Sequence, residues 1–120
     1  MAQTISSLDD VQGYLQGVIG RADHHAQRVS GIVLPLLGAI LLHKDVGTDI
    51  QVATREGNTA NVLWCYFGGR RYAFSYRHDD ESVVLKMGGV RGDVIATFND
   101  GTTLGGINTT LRGLARGAAE

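Results

Sequence analysis

Cysteine is almost missing from this 120-residue chain. Cys65 stands alone, so neither a disulfide framework nor a cysteine-based zinc site can form within one chain. Proline is nearly missing too, and Pro35 on its own leaves no proline-rich linker. An excess of charge of either sign is lacking: 11 basic residues stand against 12 acidic ones, a net charge of -1. The strongly basic balance typical of a nucleic-acid-binding domain is therefore absent, and so is an acidic tail. The longest apolar stretch, Ile32 to Leu42, is eleven residues and contains Pro35 and Gly38. That falls well short of the roughly 20 apolar residues that span a bilayer, so the stretch reads as a buried helix and no membrane partner is expected. The opening residues MAQTISSLDDVQG carry two acids and no Lys or Arg, whereas an export signal starts basic and continues apolar. A reducing, cytoplasmic setting is the expectation. At 12.8 kDa, with 43% hydrophobic residues, the chain fits one domain and excludes a two-domain enzyme.

What is present divides into a helical part, about 7–44, and a strand-rich part, about 49–107, with a short helix after it, about 109–118. Leu8, Val11, Leu15, Val18 and Ala22 recur at helical spacing, and Ser7 with Asp10 resembles a capping box. Gly13 and Gly17 lie on one face of that helix, where a second helix could approach closely. A second helix is predicted from near Asp23, through His24, Val29 and Leu36, to about His43, bent by Pro35. After Gly47 the period shortens to two. Strands are predicted at Asp49 to Arg55, Thr59 to Phe67, Arg70 to His78, Ser82 to Met87 and Asp93 to Phe98, with Thr102 to Ile107 a candidate sixth. Short loops rich in Gly, Asn and Asp join them and imply antiparallel neighbours. Thr109 or Thr110 could cap the last helix, Leu111 to Ala118. Helices first and strands later give an α+β fold: N-terminal helices on one face of a meandering sheet of about five strands.

Alternation puts Tyr72, Phe74 and Tyr76 on one face of their strand and Arg71, Ala73, Ser75 and Arg77 on the other. The preceding strand is apolar on both sides, with Val62, Trp64 and Tyr66 alternating with Leu63, Cys65 and Phe67. If the helices cover the aromatic face, Arg71, Ser75, Arg77 and Lys86 remain on an open face together with Ala73 and Val84. That face could be an ordinary solvated one, a subunit contact or a platform for a ligand or nucleic acid. As a contact it would let Arg71 and Arg77 pair with carboxylates of another copy. A small-molecule site, wherever it lies, would use Trp64, Tyr66 or Tyr72 as an apolar wall, with Arg77 or His78 as a polar anchor.

Other constellations carry little chemistry. His24 and His25 are adjacent and point about 100° apart on a helix, so they cannot bind one metal together. Asp79-Asp80-Glu81 is an acidic turn without the ligand ladder of a calcium loop. Cys65, in a central strand, reads as a small buried hydrophobe and not as a nucleophile. Gly88 to Gly92 joins two strands and opens no helix, so it lacks the context of a phosphate loop. Arg91-Gly92-Asp93 and the sequon Asn108-Thr109-Thr110 are matches without a setting that gives them meaning. The aromatics of the Arg70 to His78 strand face away from Arg71 and Arg77, which argues against a single-strand nucleic-acid platform. No metal and no cofactor is expected, and the balance leans away from an enzyme.

The run Asn61-Val62-Leu63-Trp64, then Arg71-Tyr72-Ala73-Phe74-Ser75-Tyr76 with His78, then Gly92-Asp93-Val94-Ile95 to Phe98, resembles small orphan proteins encoded by integron-associated mobile gene cassettes of environmental bacteria. Leu36-Leu37-Gly38-Ala39-Ile40 shares the likeness, which spans roughly residues 22–107. The resemblance implies a bacterial α+β protein, often oligomeric, with an accessory role, and it brings no active-site residues. The expected function is non-enzymatic binding by a homo-oligomer, a dimer or tetramer, that meets through the open sheet face or the glycine-bearing first helix. A protein that binds a small organic ligand is the alternative.

Overall fold

The segments that alternate with period two do form an antiparallel sheet. The computed structural model describes residues 2–5, 9–10, 12–14, 16, 31–55, 58–77 and 80–117. Six strands follow one another in space as they do in sequence. They are β1 (Ala2–Ile5), β2 (Ile50–Arg55), β3 (Asn58–Phe67), β4 (Arg70–Arg77), β5 (Ser82–Met87) and β6 (Val94–Phe98). Among the described residues, the helices α1 (Val33–His43) and α2 (Leu104–Gly117) pack on each other and contribute to the same core. The α+β fold expected from the sequence is the one observed.

Five of the strands lie where the alternation put them. β1 is an addition: four residues pair antiparallel to β2, with Ile5 opposite Ile50, and bury Ile5. A run that short carries too little alternation to be read as a strand. Residues 9–10, 12–14 and 16 have helical backbone, as the first apolar stripe predicts, and Tyr14 packs against the core. Leu8, Val11, Leu15, Gly17, Val18 and Ala22 lie outside the described residues, as do Asp23, His24, His25 and Val29.

Two expectations about helices are corrected. The second helix does not run unbroken from Asp23 to His43, because Gly31 and Ile32 form a turn and α1 starts at Val33. Pro35 therefore sits in the first turn, where a backbone N–H has no intrahelical acceptor in any case. The first helical hydrogen bond runs from the Leu36 amide to the Ile32 carbonyl, 2.8 Å, so Pro35 removes no bond and need not bend the helix. The segment Thr102 to Ile107 is not a strand. Thr103 caps α2 by accepting the Gly106 amide on Oγ1 at 3.0 Å, and the Ile107 amide reaches the Thr103 carbonyl at 3.0 Å. The helix thus begins seven residues before Leu111, and Leu104, Ile107, Leu111 and Leu114 supply its 3-4 spacing. Thr109 and Thr110 are inside it.

The core lies between the helices and one face of the sheet. Leu63, Cys65 and Phe67 of β3, Tyr72 and Phe74 of β4, Leu85 of β5 and Phe98 of β6 meet Leu36, Ile40, Ile107 and Leu111. Phe67 packs on Tyr72 and Phe74 with ring centroids 5.7 and 6.2 Å apart, and Phe74 stacks on Phe98 at 6.4 Å. Each such aromatic contributes about 1.5–3 kcal/mol by leaving water. His43 Nε2 and Asn108 Oδ1, 2.6 Å apart, tie α1 to α2, so the sequon asparagine is engaged within the helix pair.

Candidate functional site

The face of the sheet turned away from α1 and α2 follows from strand register. The two-residue turn Gly68-Gly69, with φ of 59° and 81°, closes a hairpin that pairs Phe67 with Arg70. Counting back from that pair, Tyr66 stands opposite Arg71, Trp64 opposite Ala73 and Val62 opposite Ser75. On the other side of β4, Ala73 faces Lys86 and Ser75 faces Val84. A continuous row therefore crosses the sheet through Thr4, Gln51, Trp64, Ala73 and Lys86. Beside it lie Tyr66 and Arg71.

Geometry joins the cations to the aromatics. The Arg71 guanidinium lies over the Trp64 ring, 5.2 Å from its centroid, and Arg71 remains exposed. Tyr66 is 39% exposed. Trp64 and Lys86 flank Ala73, which is fully buried between them. Lys86 Nζ donates one hydrogen to the Val90 carbonyl at 2.9 Å, which leaves two for a further acceptor. Among the described residues, no carboxylate pairs with Arg71 or Lys86.

Of the residues predicted from sequence, Arg71, Ser75 and Lys86 share this face with Trp64 and Tyr66. Arg77 belongs to the same strand but is already paired. Its Nε and Nη2 donate to Asp80 at 3.0 and 2.7 Å within its own hairpin, so it does not wait for another copy's carboxylate. Tyr72 does not join Trp64 and Tyr66 in one wall. Register sets it opposite Cys65 and Met87, on the helix side, where it is buried. His78 and Asp79 lie outside the described residues. Sequence reasoning took the aromatics of β4 alone and missed that β3 brings Trp64 and Tyr66 to the cationic side. The Gly-Gly turn was the signal that fixes this pairing.

A second exposed surface runs along α1. Leu34, Leu41 and Leu42 are 55%, 42% and 72% exposed, while Val33, Leu36, Ala39 and Ile40 are buried on the opposite side. Gly38 lies among the exposed leucines, and a side chain there would touch nothing within 4 Å. The helix is apolar on both sides.

Cys65 is buried, and desolvation pushes its thiol up to about 12, so the thiolate a nucleophile needs is suppressed. Among the described residues, no group of three His, Cys, Asp or Glu side chains could hold a metal ion, and no helix is long and apolar enough to cross a membrane.

Comparison with known families adds the context that the geometry does not. The sequence pattern of the family described as integron cassette protein VCH_CASS1 chain matches residues 11–108. The chain belongs to this integron cassette family. The match takes in α1, all of β2 to β6 and the start of α2. No curated protein matches the sequence.

Proposed function

We propose that the protein is a non-catalytic accessory binding protein, encoded by a mobile gene cassette and acting in the cytoplasm as a homo-oligomer, with its open sheet face presented to a partner. The observation that carries the reading is the apolar outer side of α1. Helices at a protein surface keep apolar residues to one stripe, and a helix that is apolar all round is ordinarily buried. Leu34, Gly38, Leu41 and Leu42 follow the spacing of one helical side, and Val46 just beyond the helix is fully exposed. In a two-fold contact the same patch meets itself, and Gly38 would allow two helices to approach closely. The open sheet face is a poorer self-contact. A two-fold axis through it would bring Arg71 and Lys86 of both copies together, and juxtaposed like charges are costly when desolvated. The glycine-bearing first helix falls largely outside the described residues.

Solution mass measured by light scattering over a range of concentrations tests the reading. The expected result is a dimer or tetramer that Leu34→Glu with Leu41→Glu converts to a folded monomer. A wild-type chain that stays monomeric at every concentration overturns the assembly.

A further inference from the structure

We infer that the Tyr66, Arg71 and Lys86 corner of the sheet face turned away from α1 and α2 binds single-stranded nucleic acid, with Tyr66 stacking on bases and with Arg71, seated over Trp64, and Lys86 holding phosphates. The inference rests on the proposal that this face serves a partner, and it names the partner's class. Proteins that bind single strands without reading their sequence combine cations that follow the backbone with rings on which bases stack. Both elements occur here on one face and on adjacent strands. Tyr66 on β3 is opposite Arg71 on β4, and Lys86 on β5 is the diagonal neighbour of Arg71 across Ala73.

Charge complementarity selects the occupant. Arg71 and Lys86 have no carboxylate partner among the described residues, and their remaining N–H groups can donate to an anion. An acidic peptide would satisfy those cations but would leave Tyr66 without a role, whereas a nucleotide uses ring and cation together. Strands lie about 4.8 Å apart and residues about 3.4 Å apart along a strand, so Tyr66 and Lys86, two strands and two residues apart, stand roughly 12 Å from each other, a span for a strand that crosses the sheet. Arg71 stacked on Trp64 already presents a planar cation to a base or phosphate. Gln51 and Ser75, on the same face, supply hydrogen bonds to base edges without imposing one sequence. The chain's net charge of -1 gives no long-range attraction, so binding depends on this patch alone.

The test uses the full chain and a labelled single-stranded oligothymidylate of about 12 nucleotides, within the site sizes usual for such surfaces. Binding is followed by anisotropy at low salt and by quenching of Trp64, the only tryptophan. Saturable binding with quenching is expected, with a log–log salt slope of about -1.4 for two phosphate contacts, falling to about -0.7 in Lys86→Ala. Tyr66→Ala should weaken binding roughly 5- to 100-fold and Tyr66→Phe should retain it, because the ring and not the hydroxyl stacks. Unchanged thermal unfolding confirms that these surface variants remain folded. No binding at low salt overturns the inference, and so does equal binding of polyglutamate, which would assign the face to an acidic protein partner. Failure here with the oligomer intact leaves the assembly standing. A monomer that still binds the oligonucleotide removes the assembly and keeps this site.

Discussion

The Asp45 carboxylate accepts the Gly68 amide at 2.7 Å, and its second oxygen accepts the neighbouring Gly69 amide at 2.6 Å. One side chain from the loop after α1 thus satisfies both amides of the β3–β4 turn. The Asp45 amide in turn donates to the Tyr66 carbonyl at 2.9 Å, and Thr48 Oγ1 donates to the Asp45 carbonyl at 2.6 Å. This cluster holds the hairpin whose register places Tyr66 opposite Arg71. Hydrogen bonds to a charged acceptor contribute about 1.5–3 kcal/mol each when buried and less when partly solvated, as here. Asp45→Ala is expected to destabilise the fold by about 2 kcal/mol, and Asp45→Asn, which keeps one acceptor oxygen, by less. Urea unfolding followed by Trp64 emission measures both. Equal stability of Asp45→Ala and wild type would show that the turn stands without its acceptor.

Gly92 is held to glycine by backbone, not by backbone angle. A Cβ at this position would lie 1.7 Å from the Met87 carbonyl oxygen and 2.8 Å from its carbon, because the loop folds back on the end of β5. The Gly92 amide donates to the Gly89 carbonyl at 2.9 Å, and the Met87 amide to the Asp93 carbonyl at 3.1 Å, so neither side can move without loss. Gly92→Ala is therefore expected to cost about 3 kcal/mol, at the upper end for overpacking. Gly89, with open space around it, should accept alanine at little cost in the same unfolding assay.

The sheet was legible because its signals are local. Turn residues and alternation placed β2 to β6 to within a residue or two, and sorted Tyr72 and Phe74 from Arg71 and Ser75 correctly. β1 was not legible, since four residues acquire strand character only by pairing with β2. α2 was misplaced because Gly105 and Gly106 weaken its first turn on propensity, and the Thr103 cap outweighs them. The candidate site was half legible. Arg71 and Lys86 were assigned to the open face from their own strands, but the partnership of Arg71 with Trp64 is a cross-strand relation that appears only when register is followed through the turn. The exposed side of α1 was hidden for a different reason: an apolar run such as Val33 to Leu42 looks buried from composition alone, and only the packing shows which side has no cover.

Cys65 should be inert in the native protein. It lies 1% exposed between β2 and β4, and burial holds its thiol protonated at neutral pH. Lys44 draws the value down and Asp45 raises it, but desolvation is the larger effect. A thiol reagent such as iodoacetamide should modify Cys65 only at the rate of unfolding, and stoichiometrically in denaturant. Cys65→Ala should leave any binding activity unchanged while lowering stability by about 1 kcal/mol or more through the lost packing. Rapid modification of the native chain would contradict the buried placement.

The pH response of the β4–β5 hairpin follows from Asp80. Hydrogen bonds from Arg77, first, and from Ser82 Oγ at 2.7 Å hold its carboxyl at about 2, below the ordinary value of 3.8. A depressed folded value means that the folded state favours the ionised form. The stabilising contribution is therefore complete above pH of about 4 and is lost as pH falls through about 2. Direct titration of the Asp80 carboxyl carbon by NMR should give a midpoint near 2 in the wild type. Arg77→Met should move that midpoint up towards the ordinary carboxylate range, and Ser82→Ala should move it in the same direction by less. High salt should also raise it in the wild type, because both partners of the pair are substantially exposed. A midpoint that stays near 3.8 in the wild type would mean that the Arg77–Asp80 pair is not held in solution.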